Sequence, residues 1–165
     1  MNCSRIDNTI PTAKLLLGDS ATRLCEIATN SIDLTVTSPP YDNLRSYKGF
    51  EFDFETVARE LYRVTKPGGV VVWIVGDATI KGSETGTSFR QALFLRDVCG
   101  FNLADTMIYQ KTDLAFPRNG HRKYPGAFEY MFVLSKGPIR TFELIRDRAN
   151  KSAGRILSGT VRQVD

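Results

Sequence analysis

The residues best suited to chemistry are Thr37-Ser38-Pro39-Pro40-Tyr41, which follow a run of alternating apolar and polar residues. Two successive prolines fix an extended backbone and remove two amide donors. Their carbonyls then point outward in a fixed direction beside one hydroxyl and one aromatic ring. A cage of acceptors with a stacking face suits a planar base that carries an amino group. Two other polar stretches end apolar runs, Gly18-Asp19-Ser20 and Gly76-Asp77. In open α/β sheets ligands bind outside the carboxyl ends of strands, so these three stretches are the candidate site.

The elements that must position them follow from periodicity. Lys14–Asp19 reads as a short strand, and Ser20 as the cap of a helix reaching Ala28. Ile32–Thr37 alternates and is β-branched, a strand that delivers its C-terminal end to the prolines. Phe54, Val57, Ala58, Leu61 and Val64 have helical spacing behind Asp53 as N-cap, and Lys66-Pro67-Gly68-Gly69 reads as the turn that ends this helix. Val70–Val75 is continuously apolar, the pattern of a strand buried on both faces of a parallel sheet. Residues 78–87 read as a loop, and Ser88-x-x-Gln91 as a capping box opening a helix to Cys99, stopped by Gly100. Leu103–Gln110 and Phe128–Leu134 read as strands around a Pro/Gly-punctuated loop, with Lys136-Gly137-Pro138 ending the second. This order predicts an α/β, doubly wound, Rossmann-like sheet.

Composition agrees with a globular chain: 165 residues, 42% hydrophobic and 24% charged. That excludes a disordered class and leaves enough chain for a core without disulfide or metal staples. No apolar run approaches the length of a membrane span, and residues 1–11 lack the apolar core of a secretory signal. Cys3, Cys25 and Cys99 have neither framework nor zinc spacing, so a reducing, cytoplasmic setting without metal is expected. Cys25 and Cys99 fall on apolar helix faces and are expected to be buried and inert. The net charge of +4 is concentrated in segments 111–125 and 137–165, while the rest is slightly acidic. Such stretches fit a surface facing phosphates, with Arg118, Arg122 and Lys123 around His121 as contacts.

T-S-P-P-Y after an apolar strand resembles motif IV of the DNA amino-methyltransferases that use S-adenosylmethionine. Gly18-Asp19, I-D-L-T-V-T-S-P-P-Y, then Asn43, Arg45 and Tyr47, K-P-G-G, and F-E-Y-M-F-V-L-S-K (128–136) are similar to this family in the same order, over residues 14–137. The resemblance implies double-stranded DNA as partner and S-adenosyl-L-methionine as cofactor. It places Ser38, Pro39, Pro40 and Tyr41 at the reacting base, Asp19, Ser20 and Thr37 near the cofactor, and Asn43, Arg45 and Tyr47 along the flipped base or a phosphate. In this family Ser before the two prolines accompanies cytosine N4 methylation more often, and Asp or Asn adenine N6. An exocyclic amino nitrogen is a poor nucleophile because its lone pair is delocalised into the ring. Acceptors at Ser38 Oγ and the Pro39 carbonyl would localise that pair as attack develops, and Tyr41 would stack on the extruded base. Ser38 is not a general base. No cysteine sits in the arrangement that cytosine-C5 enzymes need for a thiolate nucleophile.

One departure from the family shapes the expectation. Its cofactor pocket uses a Gly-rich F-x-G-x-G loop, and this sequence contains no G-x-G. In one permuted group the catalytic half comes first, then target recognition, then the cofactor half. The chain is therefore read as the catalytic half: 1–137 the catalytic part, 138–165 the start of a target-recognition region or a tail. The sheet is expected to lack the cofactor-half strands, leaving the strand that ends at Thr37 with one unpaired apolar edge. The expectations are weak cofactor binding alone, self-association, and a second chain or missing half that completes the pocket. Alternative readings are an adenine-N6 enzyme, a non-catalytic DNA-binding remnant, and a methyltransferase acting on RNA or a protein glutamine, the last disfavoured by Ser38.

Overall fold

The computed structural model describes residues 13–40, 52–112 and 126–143. Its elements in chain order are α1 (Ser20–Leu24), β1 (Ile32–Thr37), α2 (Phe54–Val64), β2 (Thr65–Val75), β3 (Thr79–Ile80), β4 (Ser83–Glu84), α3 (Thr87–Asp97), β5 (Asn102–Gln110) and β6 (Phe128–Ser135). Four strands form one mixed sheet in the order β1-β2-β6-β5. β1 runs parallel to β2, while β6 is antiparallel to both β2 and β5.

One sheet face carries the core. Val71, Trp73 and Val75 of β2 and Phe132 and Leu134 of β6 are buried with Val57, Ala58 and Leu61 of α2, and with Ala92 and Leu95 of α3. The expectation that β2 is buried on both faces is corrected: its residues alternate between buried and half-buried. Among the described residues, helices cover only the face of Val71, Trp73 and Val75. On the other face Leu34 and Val36 of β1 are 59% and 62% exposed beside half-buried Val70 and Val72. Among the described residues β1 is an edge strand, as the missing-strand expectation required.

Several boundaries differ from the sequence reading. Lys14–Asp19 is not a strand; it lies outside any ladder, and Leu15 and Leu17 are almost fully exposed, so no neighbour offers pairing. α1 is one turn rather than a helix to Ala28, and Asp19, not Ser20, caps it. Lys66–Gly69 does not end α2 in a turn. The helix stops at Val64, and Thr65 turns directly into β2, its Oγ1 donating to the Leu61 carbonyl at 2.6 Å. Pro67 has no amide to donate and Gly68 has φ +83°, so the four residues form an irregularity within the strand. The β1 register accordingly jumps from Ile32 opposite Thr65 to Leu34 opposite Val70. A side chain at Gly69 would meet the Thr65 methyl and the Asp33 carbonyl within about 3.0 Å.

The loop 78–87 contains a small hairpin, β3–β4, whose turn residues Lys81 and Gly82 both have positive φ, as a two-residue primed turn requires. α3 begins at Thr87, and Ser88-x-x-Gln91 is no capping box because both side chains are engaged elsewhere, with Asp77 and Trp73. Cys25 is exposed and Cys99 half-buried, because α1 is too short to bury a face and Cys99 lies beyond the end of α3. Among the described residues no helix is long and apolar enough to cross a membrane, and no cluster of His, Cys, Asp or Glu could hold a metal ion.

Candidate active site

β1 delivers Thr35 and Thr37 to the helix-covered face, where Thr37 lies opposite Trp73 of β2. The chain then leaves the sheet through Ser38, which is exposed, Pro39, which is buried, and Pro40, which is half-buried. These residues form one wall of an open cleft of about 560 Å³. Gly18, Asp19 and Ser20 line the same cleft as a second polar lip, with Phe52, Val57, Leu61 and Trp73 as its apolar floor. The structure thus brings Asp19, Ser20, Thr37, Ser38, Pro39 and Pro40 to one cavity. Tyr41, Asn43, Arg45, Tyr47, Arg118, His121, Arg122 and Lys123 lie outside the described residues.

The lip is held from both sides. Asp19 Oδ1 accepts from the Thr22 amide at 3.0 Å and the Thr22 hydroxyl at 3.2 Å. Arg23 Nε donates back to the Leu17 carbonyl at 2.7 Å, closing the turn around Gly18. From α2, the Arg63 guanidinium donates to the carbonyls of Leu24 and Ile27, both at 2.9 Å, and to Thr29 Oγ1 at 3.0 Å. Glu60 holds the same guanidinium at 2.7 Å, and that hydrogen bond keeps the Glu60 carboxyl below its ordinary range.

The floor is aromatic. Trp73 is fully buried, with Phe52 stacked 6.5 Å away and Phe54 tilted at 5.8 Å. Its indole N–H donates to Gln91 Oε1 at 3.0 Å, which fixes the ring in place. The position of Trp73 in an apolar strand predicts a core residue; it is core and cleft floor at once. Phe52 escaped the sequence reading, although a signal existed. It is the apolar residue just before the cap Asp53, and Val57, at the matching staple position of α2, lines the same cleft.

At the end of β2, Asp77 is a cap rather than a ligand-facing group. Its carboxylate accepts from the Ser88 amide at 3.0 Å, the Ser88 hydroxyl, and Thr85 Oγ1 at 3.2 Å. Among the described lining residues Asp19 alone is charged. The wall offers hydroxyls and carbonyls, and the floor offers apolar rings. Such a cleft can seat a flat heteroaromatic group and accept hydrogen bonds from it; the one carboxylate among its described lining residues, Asp19, is already engaged by the Thr22 amide and hydroxyl.

The sequence model of the N6/N4-type DNA methylases, described as DNA methylase, matches residues 32–160. The orphan methyltransferase M.BamHII of Bacillus amyloliquefaciens is 57% identical over 137 residues, which are 82% of this chain and 51% of that protein. The Type II methyltransferase M.SfiI of Streptomyces fimbriatus is 28% identical over 163 residues, 81% of this chain and 38% of that protein. The chain thus spans about half the length of M.BamHII and less of M.SfiI. Among solved structures, a DNA modification methylase of Thermus thermophilus complexed with S-adenosyl-L-methionine superposes with TM-score 0.57 at 26% identity, over 79% of this chain and 56% of that one. The PvuII cytosine-N4-specific DNA methyltransferase has the same fold, with TM-score 0.57 at 21% identity over 74% of this chain and 49% of that one.

Proposed function

This chain belongs to the N6/N4 DNA methylase family, and on that premise we propose that it transfers a methyl group from S-adenosyl-L-methionine to the exocyclic N4 of a cytosine flipped out of double-stranded DNA. The observation that carries the reading is the shared cleft, lined both by the exposed Ser38 with the Pro39-Pro40 wall and by the Asp19-Ser20 lip. Two substrates must meet in line for methyl transfer, and a cavity lined by two polar walls is the geometry that aligns them.

Each residue has its part. Ser38 Oγ and the Pro39 carbonyl would accept hydrogen bonds from the amino group and localise its lone pair toward the methyl group; the carbon–sulfur bond would be exchanged for carbon–nitrogen, and the surplus proton would leave to solvent along these hydrogen bonds. Pro39 and Pro40 hold those acceptors rigid, and Tyr41 stacks on the base. Asp19, Ser20 and Thr37 face the cofactor. Asn43, Arg45, Tyr47, Arg118, Arg122 and Lys123 contact the base or phosphates. The cofactor supplies an electrophilic methyl sulfonium when bound. Cytosine rather than adenine rests on Ser38 before the prolines. The exposed β1 edge favours a further polypeptide, a second chain or additional sequence, that completes the sheet and the cofactor pocket. Residues 1–137 then form the catalytic part and 138–165 lead into target recognition.

The test is methylation of plasmid DNA by the protein with that polypeptide supplied, followed by nucleoside analysis. N4-methylcytosine that disappears in Ser38→Ala is the expected result. N6-methyladenine alone would overturn the base assignment. DNA left unmodified while the single Trp73 reports cofactor binding by fluorescence would favour the non-catalytic DNA-binding reading.

A further inference from the structure

Two of the exposed apolar regions on the described surface differ in chemistry. One, on β1, is aliphatic: Leu34 and Val36. The other is aromatic and lies where β6 begins. Phe128, Tyr130 and Phe132 alternate along one face of β6, with Phe132 buried and Phe128 45% exposed. Tyr130 stacks on Phe132 at 5.6 Å and meets Phe128 edge-on at 5.3 Å. Phe89 of α3, 48% exposed, reaches the same tyrosine at 5.0 Å. The result is a ring ladder that climbs out of the core and ends at two half-exposed phenylalanines.

Its position gives it a purpose. Tyr130 pairs with Val75, the last residue of β2, so the ladder rises at the strand end from which Ser38-Pro39-Pro40 also leave the sheet. β6 is two places from β1, about 10 Å at the usual strand spacing. The segment joining β5 to β6 starts and finishes at this rim and carries Arg118, Arg122 and Lys123. Its neck is closed twice: the Lys111 amide donates to the Ala127 carbonyl at 2.8 Å, and Lys111 Nζ pairs with Glu129 at 2.7 Å. A rigid aromatic ridge at the foot of a segment whose sequence is basic, at the rim of the base-accepting wall, is a combination that suits unstacked nucleic acid.

We propose that Phe128 and Phe89, backed by Tyr130, form a DNA contact surface that packs against the bases exposed when the target is extruded. This rests on the reading that the chain acts on DNA. Extrusion disrupts stacking beside the target, and apolar rings presented there offset that loss. The cost is smaller when the target is already mispaired, so the ridge should matter less on such a duplex.

The experiment compares the active enzyme with Phe89→Ala/Phe128→Ala, and with Phe128→Trp, on a matched duplex and on one with a mispaired target base. The expected result is about a 10-fold loss of kcat/KM for the double variant on the matched duplex and less than about 2-fold on the mispaired one, the scale of base–aromatic stacking. Phe128→Trp keeps a ring and should stay close to the parent on both, and cofactor binding read by Trp73 in the double variant should not change. Equal losses on both duplexes, or none on either, overturn the proposal. If the double variant does not fold, the single variant Phe128→Ser is read in the same way. A parent enzyme that neither binds nor methylates DNA would instead refute the methyltransferase reading itself.

Discussion

Replacing Asp77 separates a structural from a chemical role at the end of β2. The first turn of α3 has no local side-chain cap, since its N-cap is Gly86 in the left-handed region at φ +67°. Asp77, eleven residues before Ser88, supplies the missing acceptor, and Ser88 is fully buried. In Asp77→Ala the helix loses a cap worth about 1 kcal/mol. The buried Ser88 hydroxyl also loses its acceptor, at about 1–3 kcal/mol. Together the destabilisation is about 3 kcal/mol, or a fall of about 6–12 °C in Tm for a chain of this size. Asp77→Asn keeps one oxygen to accept from the Ser88 amide and presents an NH2 donor to the Ser88 hydroxyl, which can accept in turn, so a smaller loss of about 1 kcal/mol is expected. Thermal and urea unfolding measure both variants. Methylation at a temperature where each is folded gives the second readout, and Asp77→Asn should stay within about 3-fold of the parent. An Asp77→Ala protein as stable as the parent would refute the capping argument. So would an Asp77→Asn protein that keeps its Tm yet transfers no methyl group, because Asp77 would then be acting on substrate.

Two further outcomes follow from the surface. Leu34 and Val36 stand 59% and 62% exposed on an edge strand, so Leu34→Lys/Val36→Lys should suppress concentration-dependent association of this chain in sedimentation experiments without lowering its Tm; unchanged association would place the sticky surface elsewhere. Burial raises the Cys99 thiol above its usual range, which keeps it protonated and slow to react, whereas Cys25 is exposed; alkylation at pH 8 followed by peptide mass analysis should modify Cys25 first, and faster reaction at Cys99 would contradict its partial burial.

The parts legible in the sequence were those whose signal is local. Ile32–Thr37 announces itself by alternation, and α2 by its apolar spacing behind Asp53, whose side chain does accept from the Thr56 amide at 3.1 Å. The strand bounds at 103–110 and 128–134 lie within a residue of those observed for the same reason. What escaped depends on partners distant in sequence. Lys66-Pro67-Gly68-Gly69 has the composition of a turn, yet tertiary pairing decides otherwise: the Gly68 amide donates to the Lys136 carbonyl at 2.6 Å, and the Lys136 amide to the Gly69 carbonyl at 3.1 Å. Ser88 and Gln91 have capping-box spacing, but Asp77 and the Trp73 indole compete for them and win because both partners are buried or partly buried. Three leucines before Gly18 look like a strand, and a strand exists only where a neighbour supplies the ladder.

The fold and the site meet at the edge of β1. β1 is the strand on which the Ser38-Pro39-Pro40 wall depends, and it is paired on one side only among the described residues. Its position is fixed by β2 through the Leu34–Thr37 register and by the Lys66–Asp33 ion pair at 2.6 Å, which is exposed and contributes little. The Asp19 lip has little burial behind it, since no residue of α1 is fully buried and Arg63 holds the segment after it through hydrogen bonds. The floor of the cleft at Trp73, by contrast, is fully buried. A strand added along β1 would give the wall its second ladder, and apolar cover over Leu34 and Val36 would give it a second packed face. On the proposed reading, contacts that bury this edge would also steady the strand that carries Ser38 and Pro39.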